Sequence, residues 1–254
     1  MQNHGERSFK KTKYKPHLRK TWCIPPKQNA EFVARMEDVL AVYSRPYTSD
    51  FPVVCMDEKP FQLVEEHFDL IKMNAHNHTE KYDYEYNRKG SCSIFMFTEP
   101  LAGWRHCEAL PQRTSEDWAS QIKWLLDERY PAAIKVVLVM DNLNTHNISS
   151  LYKVFSPDEA FRLSQRLEIH FTPKHGSWLD IAEIEISALS VQCLGKKRIS
   201  SVEILNQELI AWHTKRNSEQ RGVDWQFTCE DARIKLNHHR LEGGGFELAA
   251  GSRL

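Results

Sequence analysis

The chain has 254 residues, 41% hydrophobic and 27% charged, with Lys+Arg and Asp+Glu balanced at 34 each. This length and composition fit a soluble protein with a real core, as one domain or one plus an appendage. The neutral net charge gives no sign of a nucleic-acid partner, the N-terminus lacks the apolar segment of a secretory leader, and the longest apolar run is far too short to span a membrane.

Along the chain, residues 1 to about 27 are polar and basic and end at the Pro25-Pro26 break. Arg7, Lys10, Lys11, Lys13, Lys15, Arg19 and Lys20 stand there with no acidic residue between them. Such a run is either a solvated arm or an arm that tracks phosphates. Gln28 to Tyr43 carries Phe32, Val33, Met36, Val39, Leu40 and Tyr43 on one helical face. Residues 1–50 therefore read as a basic arm and linker helix. Val53 to Met56 is expected as a short buried strand. Ser93 to Thr98 and Trp104 to Leu110 follow as strands, joined by short links that favour antiparallel pairing. Ser115 to Tyr130 reads as a helix with Ser115 as N-cap, and Ile134 to Met140 as a central strand buried on both faces. Ser149 to Phe155 and Pro157 to Leu167 read as helical pieces, Ile169 to Thr172 as a fifth strand, and Ile181 to Leu194 and Val202 to Arg216 as helices. Three antiparallel strands followed by two strand–helix units predict an α/β fold, a mixed five-stranded sheet with helices on both faces. Residues 237–254, with the spacer Gly243 to Gly245, are expected to be a disordered tail.

The six cysteines, Cys23, Cys55, Cys92, Cys107, Cys193 and Cys229, form no CxxC pair and mostly sit in apolar strings. They read as buried free thiols of a reducing compartment, so the cytoplasm is the expected location.

Three acidic residues carry the chemistry. Asp57 ends the run PVVCMD, Asp141 ends IKVVLVMD, and Glu183 opens a helical pattern after FTPKHGSWLD. The first two are expected at strand tips, where an open sheet places its chemistry. A carboxylate set without Cys ligands suits a hard cation such as Mg²⁺. Taken singly, each acid also fits a helix cap or a turn, and Asn142 after Asp141 suits a turn. The combination is more informative: two strand-end carboxylates plus one on a following helix, in this strand order, is the layout of the ribonuclease-H-like fold. There the first and fourth strands are neighbours, and like charges that close repel unless a cation lies between them.

The strings VVCMDEKPFQL, VLVMDNLNTH and TPKHGSWLDIAEIEIS make the likeness specific. The chain resembles the catalytic domain of DDE transposases, in the bacterial insertion-sequence group related to mariner elements. Asp141, Asn142 and His146 match that family's D-N-x-x-x-H pattern, and Ser177 to Glu183 resembles its S-x-x-N-x-x-E segment. The likeness spans roughly residues 15–236, with the catalytic unit placed at 51–236. Glu183 and Glu185 lie about 200° apart on a helix, and both face polar stripes, so periodicity does not choose between them. The family pattern selects Glu183. Where the family often has Asn, this chain has Asp180, which adds a fourth carboxylate as a minor ligand candidate.

The resemblance implies that Asp57, Asp141 and Glu183 hold two Mg²⁺ ions, with Mn²⁺ as a substitute. It implies cleavage of double-stranded DNA at element ends, strand transfer by the freed 3′-hydroxyl, action as a homodimer, and a bacterial, nucleoid-associated setting. Lys10, Lys11, Lys13, Lys15, Arg19, Lys59, Lys174, His175, Lys196, Lys197 and Arg198 become candidates for DNA phosphates. The bland alternatives are a solvated arm, a solvated loop at Lys174 and His175, and helix-end cations at Lys196 to Arg198. Glu58 and Lys59 are expected in an ion pair or a DNA contact. His146 is expected to orient a carboxylate or a water, or to be structural, and Trp178 to stack on DNA or pack in the core. The match begins at YKPHLRKTWCIPP, which resembles the linker that follows the DNA-reading domains of such proteins. The expectation is a truncated or split product. The competing readings are a non-catalytic DNA-binding or dimerising remnant that regulates transposition, and another ribonuclease-H-like nuclease.

Overall fold

The computed structural model describes residues 30–66, 85–143, 146–195, 197–220, 222–223 and 225–234. The basic arm, Cys23, Lys196 and the C-terminal tail lie outside them. In chain order the elements are α1 (Ala30–Tyr43), β1 (Val53–Glu66), β2 (Tyr86–Glu99), β3 (Trp104–Leu110), α2 (Ser115–Trp124), β4 (Val136–Met140), α3 (Leu151–Val154), α4 (Pro157–Gln165), β5 (Leu167–Phe171), α5 (Ile181–Leu189) and α6 (Val202–Ser218). Wider helical turns extend α2 through Arg129 and α5 through Leu194. The five strands form one sheet in the order β3-β2-β1-β4-β5. β1 pairs antiparallel with β2 and parallel with β4, so the first and fourth strands are neighbours, as expected.

Strand alternation divides the core in two. Cys55, Ile94, Met96, Val137 and Val139 face α1, α5 and α6. Val54, Met56, Phe95, Phe97, Leu138 and Met140 face α2 and α4. β4 is buried at every position because both its faces are covered. α1 belongs to the first half, burying Phe32, Met36, Val39, Leu40 and Val42. Cys55, Cys92, Cys107 and Cys193 are buried free thiols, while Cys229 is only half-buried. Among the described residues no helix is long and apolar enough to cross a membrane.

β1 is much longer than the expected Val53 to Met56. Beyond Met56 it loses β4, whose pairing ends at Met140, but stays paired with β2 as far as Glu66. Its outer half is therefore an edge strand. That is where Pro60, which has no N–H to donate, is tolerated opposite Ser93. The N-cap of α2 is Thr114 rather than Ser115. The Thr114 hydroxyl accepts from the Asp117 backbone N–H, and the Asp117 carboxylate accepts from the Thr114 N–H at 2.7 Å, a reciprocal capping box.

The outer edge of β3 is closed by side chains of α6. Asn206 Oδ1 accepts from the Ala109 N–H at 2.7 Å and its Nδ2 donates to the Ala109 carbonyl at 3.0 Å. Asn217 does the same for Arg105, at 2.9 and 2.8 Å. Two amides thus stand in for a sixth strand and satisfy an edge otherwise open to pairing.

Candidate active site

Met56 pairs with Met140 in parallel register on strands about 4.8 Å apart, and Asp57 and Asp141 are the next residues of the two neighbouring segments. Asp141 follows the end of β4. Asp57 is not at a strand tip: it sits within β1, at the point where β4 ends. On Asp57's face of the sheet, α5 starts at Ile181 and carries Glu183 exposed in its first turn. The Asp180 side chain caps this helix, accepting from the Ala182 N–H at 2.9 Å.

The electrostatics of this rim are those of like charges with too few counter-charges. Burial, joined by the charges of Asp141, Glu183 and Glu58 and opposed by a bond from the Glu58 N–H, pushes the Asp57 carboxyl up to about 6. Asp180 is held well above the usual carboxylate range by burial and by Asp57, despite the bond from Ala182, with Asp141 and Glu183 adding to the shift. Its second oxygen, Oδ2, is buried without a hydrogen-bond partner among the described residues. An all-oxygen donor set with a buried spare oxygen fits a hard divalent cation. Among the described residues, no three His, Cys, Asp or Glu side chains are gathered closely enough to form a ready-made metal cluster.

His146 is buried behind Asp141. Its Nδ1 is 3.0 Å from Asp141 Oδ1, and its Nε2 is 2.9 Å from Glu58 Oε1. Burial alone would lower its pKa, but the bonds to Asp141 and Glu58 outweigh it, and the imidazole is pushed up to about 9. Glu58 thus takes the ion-pair option left open in the sequence, and nothing in the local sequence names His146 as its partner.

The two glutamates of α5 separate cleanly. Glu185 is 2% exposed and holds Arg105 through Arg105 Nη2 and Nε, each at 3.0 Å, with Arg216 Nη2 at 3.4 Å. It is a structural ion-pair residue, whereas Glu183 opens to the rim.

A cleft of about 600 Å³ runs beside Asp141, lined by Asn142, Arg35, Lys174, His175 and Ser177 among others. Lys174 and His175 are exposed in the loop between β5 and α5, where His175 has a left-handed φ of 64°. The next residue must be glycine: a Cβ on Gly176 would lie 2.5 Å from the Pro173 ring. Lys59 is half-buried in β1. Trp178 is half-buried against Phe227, ring centroids 5.7 Å apart, and also borders a shallow groove with Glu183. Lys197 pairs with Glu208 at 2.6 Å, and Arg198 donates to the Glu85 carbonyl and lies over the Tyr86 ring. The expected contacts Lys10, Lys11, Lys13, Lys15, Arg19 and Lys196 lie outside the described residues.

A sheet in this order, with acidic residues where β1 and β4 run side by side, is the ribonuclease-H-like fold. The family model for DDE superfamily endonucleases matches residues 52–206, and the chain belongs to that family. Solved structures with the same fold include the Mos1 mariner paired end complex with Mn (14% identity, TM-score 0.55, 87% of this chain and 67% of that one). The Mos1 strand transfer complex is similar (15%, 0.56, 91% and 67%). The catalytic domain of Mos1 mariner transposase is matched over its whole length (13%, 0.51, 88% and 100%). The chain thus spans about two thirds of the longer Mos1 chains and all of the catalytic domain alone. No curated protein matches the sequence.

Proposed function

We propose that this chain is the catalytic domain of a DNA transposase that cuts phosphodiesters at element ends and joins the freed 3′-hydroxyl to target DNA. The observation that carries the reading is the β1/β4 register, which sets Asp57 beside Asp141 on the face where α5 presents Glu183. Asp57, Asp141 and Glu183 are the residues that would hold the divalent cations. Two Mg²⁺ ions, or Mn²⁺ in their place, would supply an acidified water or 3′-hydroxyl as nucleophile and a counter-charge for the leaving 3′-oxygen.

The rest is the work of the chain. The sheet holds Asp57 and Asp141 at fixed spacing, and the Asp180 cap fixes the start of α5 and hence Glu183. Arg35 and Lys174 beside the cleft, with Lys59 on β1, supply cationic groups for duplex phosphates, and His175 a further polar contact. No Ser or Tyr nucleophile is required, because cleavage and joining use one site with a different attacking oxygen. The DDE family membership favours this reading over a ribonuclease H. Action on paired ends is carried over from the Mos1 paired end complex, and action as a homodimer from the family resemblance alone.

The test is cleavage of duplexes carrying the element's own ends in Mg²⁺ and in Mn²⁺. Asp57→Asn, Asp141→Asn and Glu183→Gln are each expected to abolish it. Cleavage that survives these changes would refute the assignment.

A further inference from the structure

The geometry points to Glu58 as a positioning residue for Asp141, acting through His146. The inference rests on the reading of Asp141 as a metal-holding carboxylate. Strand alternation turns Asp57 to one face of the sheet and Glu58 to the other, the face covered by α2. From there Glu58 Oε1 meets His146 Nε2 at 2.9 Å, and His146 Nδ1 meets Asp141 Oδ1 at 3.0 Å. The imidazole lies roughly parallel to the Trp118 indole, with centroids 6.1 Å apart and planes at 22°. Three side chains therefore bridge β1 to the residue after β4, behind the rim and across the strand pair that carries both aspartates.

Burial divides the roles along this bridge. The side chains of Glu58 and His146 are 2% and 1% exposed, while that of Asp141 is 39% exposed. An aspartate at a strand end, open to solvent, samples several rotamers, and each excursion takes its oxygens off the ligand position. The ring grips one oxygen and leaves the other free. Glu58 stops the ring from turning, because its second nitrogen is engaged as well. Each ring nitrogen faces a carboxylate oxygen at hydrogen-bond distance, so a turn of the ring would lose both contacts. This is the outer support that metal-bound carboxylates ordinarily have.

Stability alone does not call for Glu58. Its side chain shares its face with Val54, Met56 and Trp118, where an apolar residue would pack without desolvating a charge. Its other oxygen, Oε2, is buried without a hydrogen-bond partner among the described residues. A buried carboxylate with one oxygen left unsatisfied is costly, and holding Asp141 accounts for its presence.

The test uses the whole chain as wild type, Glu58→Gln and Glu58→Ala, with ¹⁵N-labelled histidine and melting curves to confirm folding. Two readouts are taken: the ring N–H protons of His146 by NMR without metal, and Mn²⁺ affinity by calorimetry with a DNA duplex present. In the wild type both ring N–H protons are expected to exchange slowly. In folded Glu58→Ala the Nδ1–H that faces Asp141 is expected to exchange rapidly, and Mn²⁺ affinity to fall 10- to 100-fold. Glu58→Gln, which keeps an acceptor, is expected to restore part of both, and it carries the test if Glu58→Ala does not fold. An unchanged Nδ1–H in folded Glu58 variants, or a wild type lacking the two slow protons, overturns the positioning role. So does Mn²⁺ affinity within twofold of wild type. If the wild type itself takes up no Mn²⁺, the metal reading of Asp141 fails, and the NMR arm still decides whether Glu58 orders the ring.

Discussion

Two clusters of charge lie on opposite sides of α5, and they are built on opposite rules. Around Glu185 the carboxylate is sealed in and answered by Arg105 and Arg216. Around Glu183, Asp57, Asp141 and Asp180, burial and the neighbouring carboxylates push the Asp57 and Asp180 carboxyls upward, and His146 reaches the group through Asp141. The first arrangement is complete within the chain. On the proposed reading the second is completed by a cation from outside, and that incompleteness separates a site from a structural ion pair. Fold stability should accordingly respond with opposite sign when each cluster is cut.

The largest effect is expected at the complete cluster. Arg105→Ala leaves the Glu185 carboxylate buried without its bidentate partner, and breaking a pair of this kind costs about 3–5 kcal/mol. Urea unfolding of the variant should give an unfolding free energy lower by that amount, with a correspondingly lower midpoint. A change under about 1 kcal/mol would mean the pair is not sealed as described.

At the incomplete cluster the sign reverses. Asp57, raised from 3.8 to about 6, binds a proton more tightly folded than unfolded. Its contribution therefore favours the fold below pH 3.8 and is lost as pH rises through 6, leaving a strained carboxylate at neutral pH. Asp57→Asn removes that strain and should stabilise the metal-free protein by on the order of 2–3 kcal/mol while abolishing cleavage. A destabilised Asp57→Asn would break the comparison.

The His146 bridge sharpens it through pH. With its pKa raised from 6.5 to about 9, the ring contributes stability that is full below pH 6.5 and lost as pH rises through 9. Unfolding free energy should fall by on the order of 2–3 kcal/mol across that window, and a folded His146→Gln variant should show a flatter profile. The smallest effect belongs to the exposed Lys197–Glu208 pair, where Lys197→Ala should change stability by less than about 1 kcal/mol. If DNA affinity falls in that variant, Lys197 contacts phosphate as well as Glu208.

What was legible in the sequence follows from how local each cause is. β4 reads as a buried central strand because Val136 to Met140 are five consecutive apolar residues, and the motif strings point to Asp57, Asp141 and Glu183. In the sequence β1 reads as ending at Met56, because Asp57, Glu58, Lys59 and Pro60 look like a strand end. Only the pairing with β2, and the loss of β4 on the other side, keeps such residues extended. Glu183 and Glu185 could not be told apart by period. The partner that buries Glu185 is Arg105, 80 residues away in β3. Glu58 stays undecided between an ion pair and a DNA contact for the same reason: its partner His146 is 88 residues distant. Pattern and propensity report what neighbours along the chain enforce, and buried polar pairings across the fold leave no such trace.

The central claim is that the carboxylate rim is completed by divalent cations. Its most direct test is a calorimetric titration of Mn²⁺ into the wild type and into the Asp57→Asn, Asp141→Asn double variant, each alone and with a DNA duplex. Metal uptake by the wild type that disappears in the double variant is the predicted result. Equal uptake by both proteins, or none by the wild type even with duplex present, would contradict it.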